Sequence, residues 1–234
     1  MNNHLDNAIP ASLNEYTKIC LEALKDSQLG QFITIGGAVG LAFYHDFRTT
    51  KDVDAWWTSE ATEKSKQSVI SLLEKTLARF GEVKIRRFGD VVSLDLHQSG
   101  KITFNIQIAN RSALLRPPLK SPWPPVTLDS IEDLVASKMT ALIERGAPRD
   151  FLDIYEICRQ NIMTISRCWE LWCEREQKRG IYNVDPETGR EAVLLHLSRI
   201  ERIRPFEKII DISERNQAQT VRNWFKHDFC KQGK

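Results

Sequence analysis

Two short segments near the start of the chain constrain its fold more than any other part of the sequence. Residues 33–38 (ITIGGA) are a β-branched run that ends in two glycines, which predicts a strand followed by a tight turn into a helix. After a short amphipathic stretch, Asp52-Val53-Asp54 begins a second predicted strand. Because residues two apart on a strand face the same side, Asp52 and Asp54 should lie side by side, with Val53 and Ala55 facing the core.

These carboxylates and glycines are typical of one kind of chemistry. Adjacent carboxylates repel each other unless a cation lies between them, and Mg²⁺ takes oxygen ligands of this kind beside substrate phosphates. Glycines at a strand-to-helix turn let backbone N–H groups approach phosphate oxygens, and the helix N-terminus adds positive potential. We therefore predict a site for Mg²⁺ and a nucleotide. The simpler alternative is a solvated strand edge on which charged residues alternate.

The spacing of these segments also carries a family resemblance. Two glycines, about a dozen residues and then Asp-apolar-Asp resemble the polymerase-β-like nucleotidyltransferase superfamily. The fuller pattern resembles the AbiEii/AbiGii-type nucleotidyltransferase toxins, a bacterial branch of that superfamily: Arg48-x-Thr50-x-Asp52-Val53-Asp54. A second motif is similar to the same branch: Lys138-x-x-Ala141-Leu142-x-x-Arg145, then Arg149-Asp150-x-x-Asp153-Ile154-Tyr155. The resemblance covers residues 30–157.

The resemblance implies a function and a set of site residues. It implies an Mg²⁺-dependent nucleotidyltransferase that moves an NMP from an NTP to an RNA acceptor, with tRNA expected, releases pyrophosphate and has a cognate antitoxin as partner. The implied catalytic residues are Asp52, Asp54, Lys138 and Asp153, and the implied metal ligands are Asp52 and Asp54. The implied nucleotide-binding residues are Gly36, Gly37, Arg48, Thr50, Lys138 and Arg145.

Within the second motif, each side chain also has an ordinary structural interpretation. Lys138 and Arg145 are two helical turns apart, so they share a face that in most helices is simply a solvated basic surface. The resemblance assigns Lys138 to the triphosphate and Asp153 to the acceptor hydroxyl or to Lys138, with Arg145 and Arg149 as further phosphate contacts. Helix-start stabilisation accounts well for Asp150, which opens the next predicted helix.

One feature departs from the superfamily pattern. A third carboxylate usually comes from a later strand, but residues 102–107 offer Asn105 and Gln107 and no acid. Asp95, on the preceding predicted strand, is the nearest candidate. Either Asp95 takes that role, or the sheet lacks a base and the site depends on the helical half; we prefer the second interpretation. Thr50 should share the strand face of Asp52 if the strand extends that far.

Two other functions remain open at this point. The missing third acid is compatible with a regulatory NTP-binding module, or pseudoenzyme, without turnover. Transfer of the NMP to a protein or a small molecule would use the same first motif. Trp123, in a proline-rich segment, is the tryptophan most suited to stacking on a base.

The composition is that of an ordinary soluble protein, with 41% hydrophobic and 27% charged residues and a net charge of +2. Residues 110–234 hold 21 Lys and Arg against 18 Asp and Glu, a weak basic excess. The odd number of scattered cysteines, five in all, argues against zinc and favours a reducing, cytoplasmic setting. We expect no signal peptide, because the N-terminus lacks a basic region followed by an apolar run, and no membrane span.

The order of the elements predicts an α+β fold: a small mixed sheet with flanking helices, followed by an all-helical domain. We expect an α/β domain over residues 1–115, a proline-rich connector over 116–128 and a helical domain over 129–234 that completes the active-site cleft. The predicted strands are 32–35, 52–57, 83–88, 91–97 and 101–109. The predicted helices are 12–27, opened by a capping box at Ser12, 38–47, 60–80, ended by Gly81, and then 130–145, 149–160, 164–178, 187–203 and 213–230.

Overall fold

The computed structural model describes residues 9–231, and within them the chain forms two compact units, the first ending at Leu134 and the second beginning at Val135. The first holds a mixed sheet with helices and the second is built of helices, so the predicted α+β class is confirmed. The N-terminal residues considered for a signal peptide lie outside the described part. No helix among residues 9–231 is long and apolar enough to cross a membrane.

The sheet of the first unit has the spatial order β3-β4-β5-β2-β1-β7-β6. The strands are β1 (Ile33–Ile35), β2 (Asp52–Trp57), β3 (Glu82–Phe88), β4 (Val91–Gln98), β5 (Lys101–Asn110), β6 (Leu119–Lys120) and β7 (Thr127–Leu128). The pairs β2–β5 and β1–β7 are parallel, and the other neighbours are antiparallel. The predicted hairpin between β4 and β5 is confirmed, with positive φ at both Ser99 and Gly100.

Three helices accompany this sheet: α1 (Glu15–Asp26), α2 (Gly37–Ala42) and α3 (Glu63–Leu77). One face of the sheet is apolar and forms a single buried core with α1 and α3. The central members of that core are Leu21, Leu24, Val53, Ala55, Val69, Leu73, Leu94 and Ile106. Because strand side chains alternate between faces, burying this set leaves the polar residues of the same strands on the opposite face.

The ends of these helices differ from the prediction. Asn14, not Ser12, caps α1: its side chain accepts the Tyr16 N–H at 2.8 Å. Helix α2 ends at Ala42, five residues early. Helix α3 starts after Thr62, whose hydroxyl accepts the Ser65 N–H, and stops before the predicted end. Gly81 therefore does not end this helix; a Cβ there would overlap the His97 carbonyl, so the glycine permits a close backbone approach.

The proline-rich segment does more than connect the units. Between residues 116 and 128 the chain adds β6 at the sheet edge and β7 parallel to β1. Trp123 is 1% exposed, and its indole N–H donates to Glu22 at 2.7 Å. It is part of the core, so the expectation that it stacks on a base is wrong.

The second unit contains the helices predicted for it, with small shifts at their ends. They are α4 (Ile131–Glu144), which begins in the first unit, α5 (Pro148–Arg159), α6 (Ile165–Lys178), α7 (Pro186–Ile203) and α8 (Ile212–Trp224), followed by a π-helical turn at Phe225–Phe229. Aromatic rings hold its centre, with Phe151 and Phe225 4.7 Å apart and Trp169 and Phe229 5.3 Å apart between ring centroids. The cysteines of the described residues are free thiols.

Candidate active site

The two aspartates lie where the sequence predicts. Strand β2 alternates half-buried and buried residues from Asp52 to Trp57, so Asp52 and Asp54 share the polar face while Val53 and Ala55 are buried in the core. The charged pair is therefore held by the burial of its neighbours: a one-residue shift of the strand would put both carboxylates into the core.

The double-glycine turn packs directly against this pair. Gly36 donates its N–H to the Asp54 carbonyl at 2.9 Å, which continues the β1–β2 ladder into the turn. Gly37 has φ +57°, and a Cβ at this position would overlap the Asp54 carboxylate. A Cβ on Gly36 would lie 2.6 Å from the Trp56 indole nitrogen. Gly37 is thus required by its backbone conformation and by close approach, and Gly36 by close approach alone. The turn brings backbone amide groups beside the carboxylates.

A buried cluster that sequence patterns did not reveal supports the turn from one side. Asp129, 1% exposed, accepts the Trp56 indole N–H at 2.8 Å and pairs with Arg111. The Arg111 guanidinium lies 5.5 Å from the Trp56 ring centroid, and the Tyr44 hydroxyl donates to the Asp129 carbonyl at 3.1 Å. Burial raises the pKa of Asp129, while Arg111 opposes the shift by favouring the ionised form. The cluster holds the Trp56 indole in place, and Gly36 packs against this indole.

The register across the sheet places further polar residues beside the aspartates. Asp52 on β2 is opposite Asn105 on β5, and Asn105 is opposite Asp95 on β4. Asp54 is likewise opposite Gln107, which is opposite Ser93. Side chains in register on neighbouring strands share a face, so the polar face continues across three strands.

Asp95 is two strands away from Asp52 and is held by several contacts. One carboxylate oxygen accepts from the Ser93 hydroxyl at 3.0 Å and from the Asn105 amide, and the other pairs with Arg86 at 2.6 Å. The Asn105 amide nitrogen thus points toward β4. The Asn105 amide oxygen is buried, and no hydrogen-bond donor for it lies among residues 9–231. An unsatisfied buried acceptor of this kind is costly unless a ligand contacts it.

The donor set fits a hard divalent cation. In the described part of the chain, no cluster of three or more His, Cys, Asp or Glu side chains is arranged to hold a metal. Two carboxylates, with the unsatisfied amide oxygen of Asn105 on the neighbouring strand, form an all-oxygen set of the type Mg²⁺ uses when substrate phosphates complete its coordination. The absence of a third carboxylate does not conflict with such an ion.

The residues before β2 are placed differently from the prediction. The strand begins at Asp52, so Thr50 is not part of it. The Thr50 hydroxyl donates to the Asp52 carbonyl at 3.1 Å and accepts the Asp52 N–H at 3.2 Å, which defines where the strand starts. Because the strand does not extend to Thr50, the condition under which Thr50 would share the strand face of Asp52 is not met. The Arg48 guanidinium lies 5.8 Å from the Phe47 ring centroid.

In the second unit, Lys138 and Asp153 form an ion pair. The Lys138 amine on α4 lies 2.6 Å from the Asp153 carboxylate on α5, and their side chains are 11% and 0% exposed. Of the two contacts that the sequence left open for Asp153, this structure contains the one with Lys138. A fully buried carboxylate needs such a partner, because an unpaired charge would be strongly disfavoured there.

The two arginines of the second motif have different surroundings. Arg145 forms a bidentate salt bridge with Asp150, in which its Nε and one terminal nitrogen lie 2.9 and 3.0 Å from the two carboxylate oxygens. Asp150 also accepts the Ala147 N–H at 3.1 Å. Asp150 thus stabilises the start of α5, as its position suggests. Arg149, at the first turn of α5, is exposed.

Half-buried carboxylates on the polar face of a sheet, packed against a double-glycine turn, are the features of a nucleotidyltransferase. The chain belongs to the AbiEii family of these enzymes: the family model described as "Nucleotidyl transferase AbiEii toxin, Type IV TA system" matches residues 19–219. Nucleotidyltransferases act on NTPs and generally use a divalent metal, and a type IV toxin–antitoxin family implies an antitoxin partner.

Comparison with solved structures finds an antigenic nucleotidyltransferase-like protein from Paracoccidioides brasiliensis, at 15% sequence identity and a TM-score of 0.39. The match covers 87% of this chain and 92% of that one. No curated protein matches the chain.

Proposed function

We propose that this nucleotidyltransferase depends on Mg²⁺ and transfers an NMP from an NTP to RNA, with tRNA as the acceptor. The observation that carries the chemistry is the contact between Gly37 and the Asp54 carboxylate, since it puts backbone amides suited to phosphate beside carboxylates suited to a metal. Such a site needs no covalent intermediate. Placement and neutralisation of charge are sufficient for phosphoryl-type transfer.

In this proposal Asp52 and Asp54 hold the metal, and the amide oxygen of Asn105 is a third donor. When bound, Mg²⁺ supplies charge neutralisation for the triphosphate and for the departing pyrophosphate. Asp95 is a positioning residue here: by accepting from the Asn105 amide nitrogen it keeps the amide oxygen on the other side. This role accounts for a buried acid that is already committed to three partners.

Gly36 and Gly37 are proposed to let the phosphates approach the turn. Because the Gly36 N–H donates to the Asp54 carbonyl, the N–H of Gly37 is the one proposed to contact them. Arg48 and Thr50 lie on the segment that leads into β2, and both are proposed nucleotide contacts. The hydrogen bonds of Thr50 to the Asp52 backbone give it a second role, since they hold the strand start in place.

Lys138 is proposed to bind the triphosphate, with Asp153 holding its amine in place through their ion pair. Arg145 is a further proposed phosphate contact. Its Nε and one terminal nitrogen donate to Asp150. Arg149 remains the alternative in that role.

RNA is the proposed acceptor because the family is one of toxins, and the weak basic excess of residues 110–234 is compatible with it. The lysines and arginines of residues 111–120 and 138–149 are the candidates for contacting its phosphates. Arg111 does not fit this role, because it is 14% exposed and pairs with Asp129 and Asp133. Lys120 and Arg149, both exposed, are the better members of those segments.

A label-transfer assay tests this function. The purified chain is incubated with Mg²⁺ and each α-labelled NTP, together with total RNA, purified tRNA, small-molecule alcohols or a protein extract in separate reactions. Label on tRNA supports the proposal. Label found only on protein or on a small molecule would establish the alternative acceptor class, and bound NTP without any transfer would favour a regulatory module.

A further inference from the structure

The edge strand β3 carries part of the polar face that holds the aspartates. Its residues Lys84 and Arg86 are opposite Asp95 and Ser93 on β4, and the register continues through β5 to Asp52 and Asp54. Phe88, two residues further along β3, shares the same face. A row of side chains therefore runs from the open edge of the sheet to the carboxylates.

The side chains of Lys84, Arg86 and Phe88 are largely exposed to solvent, although both cations have an acidic neighbour. Lys84 is 53% exposed and lies 3.6 Å from Glu82, while Arg86 is 65% exposed although one of its nitrogens pairs with Asp95. Phe88 is 88% exposed and precedes Gly89, which turns the β3–β4 hairpin with φ +58°. Two cations and an aromatic ring thus lie along one exposed edge.

Protection of the edge explains only part of this arrangement. Charged side chains on an edge strand discourage pairing with another strand, and Lys84, Arg86 and Arg87 all serve that purpose. An almost fully exposed Phe88 works against it, since an apolar ring at a sheet edge favours association. Cations that contact phosphates, beside an aromatic ring that stacks on bases, are the usual elements of a single-strand binding surface.

The distance from β3 to β2 suits a single-stranded nucleic acid whose end lies at the aspartates. Neighbouring strands lie about 4.8 Å apart, so the three steps from β3 to β2 cover roughly 14 Å. A stacked nucleic-acid strand advances about 3.4 Å per nucleotide, so roughly four nucleotides span this distance. The exposed side chain of Gln107 lies on the path between them.

We propose that Lys84, Arg86 and Phe88 bind the single-stranded end of the RNA acceptor and direct its terminal hydroxyl toward Asp52 and Asp54. The two cations contact phosphates, and the Phe88 ring stacks on a base. This inference rests on the proposed function, because it takes RNA as the acceptor. It assigns acceptor binding to the sheet of the first unit, in residues outside both sequence motifs.

The test compares two faces of the same strand. Lys84→Gln and the double variant Lys84→Gln/Arg86→Gln remove charge from the polar face, and Phe88→Ser removes the ring. Arg87→Gln is the matched control, because Arg87 is on the opposite face and bonds Gln67 at 3.2 Å. Fluorescence anisotropy measures binding of a short labelled single-stranded RNA over a range of KCl concentrations, and thermal melting checks the fold of each variant.

We expect the double variant to bind RNA at least about tenfold more weakly, with the slope of log K against log salt reduced by about 1.4, since each single-strand phosphate contact contributes about 0.7. Phe88→Ser should weaken binding roughly tenfold without changing that slope. Arg87→Gln should bind as the wild type does. Equal losses in Arg87→Gln and the double variant would overturn the site, as would wild-type affinity in the double variant.

A second readout separates this inference from the proposed function. Mg²⁺–NTP binding should be unchanged in Lys84→Gln and Phe88→Ser, while label transfer to tRNA falls in step with RNA affinity. If the wild type labels RNA and these variants label it equally well, the β3 site is wrong and the function stands. If the wild type labels only protein or small molecules, the function itself is wrong. If the variants change self-association of the chain through β3 but leave RNA binding unchanged, the β3 site is also wrong.

Discussion

Gly37 lies so close to Asp54 that a Cβ on the glycine would overlap the carboxylate. This contact joins the two halves of the first sequence motif, which are separated along the chain, and makes the turn and the metal-binding face one structural unit. The backbone at Gly37 also has φ +57°, a conformation that side chains disfavour.

Gly37→Ala should therefore abolish nucleotide transfer. Its backbone conformation alone costs about 1–2 kcal/mol of stability, and the displacement of Asp54 adds to that cost. Gly89→Ala is the matched control: Gly89 has φ +58°, but a Cβ there would meet nothing within 4 Å. We expect the melting temperature to fall in both variants, further in Gly37→Ala because Asp54 must also move, and activity to be lost in Gly37→Ala alone. Full activity in Gly37→Ala would show that the Asp54 carboxylate does not need its present position.

Asn105→Leu should weaken metal binding, because it removes the buried amide oxygen beside Asp52. Binding of Mn²⁺, followed by electron paramagnetic resonance in the absence of NTP, measures this without reference to turnover. The exchange Asp95→Asn/Asn105→Asp keeps the total charge and an amide–carboxylate hydrogen bond, and it places a carboxylate in the third-acid position. Mn²⁺ should bind this double variant at least as tightly as the wild type. Unchanged Mn²⁺ affinity in Asn105→Leu would remove Asn105 from the ligand set.

Lys138→Met should destabilise the chain by about 3–5 kcal/mol, because it breaks a buried ion pair by removing the amine 2.6 Å from the fully buried Asp153 carboxylate. The double variant Lys138→Met/Asp153→Leu removes both charges and should recover most of that stability, as judged by chemical denaturation. Neither variant should transfer nucleotide if Lys138 binds the triphosphate. A stable, active double variant would restrict the pair to a structural role.

Local patterns in the sequence are sufficient to predict the strands that carry the first motif. The alternation of Asp52, Val53, Asp54 and Ala55 predicts both the strand and its faces, because a strand with one buried face has a two-residue period. The bounds of β2 agree with the prediction at both ends. Most helices were located for the same reason, from the spacing of their apolar residues, and their ends were less accurate because capping depends on single side chains such as Asn14.

The remaining parts of the site depend on contacts between distant segments. Asp129 supports Trp56 across more than seventy residues, and no spacing rule relates the two. The pairing of β7 with β1 also joins segments far apart in the sequence. The prolines before β7 argue against a strand, although this segment returns to the sheet. Asp95 was recognised as a candidate acid, but its commitment to Asn105 and Arg86 follows only from strand register.

Binding of the metal for nucleotidyl transfer by the Asp52–Asp54 pair is best tested with Asp52→Asn in the label-transfer assay with Mg²⁺ and tRNA. Asp26→Asn is the control, since Asp26 is an exposed acid at the end of α1. We expect Asp52→Asn to lower transfer at least about a hundredfold, in the range typical for loss of one electrostatic contact to a reacting group, with a nearly unchanged melting temperature. Asp26→Asn should be as active as the wild type. Wild-type transfer by a folded Asp52→Asn variant would contradict the account.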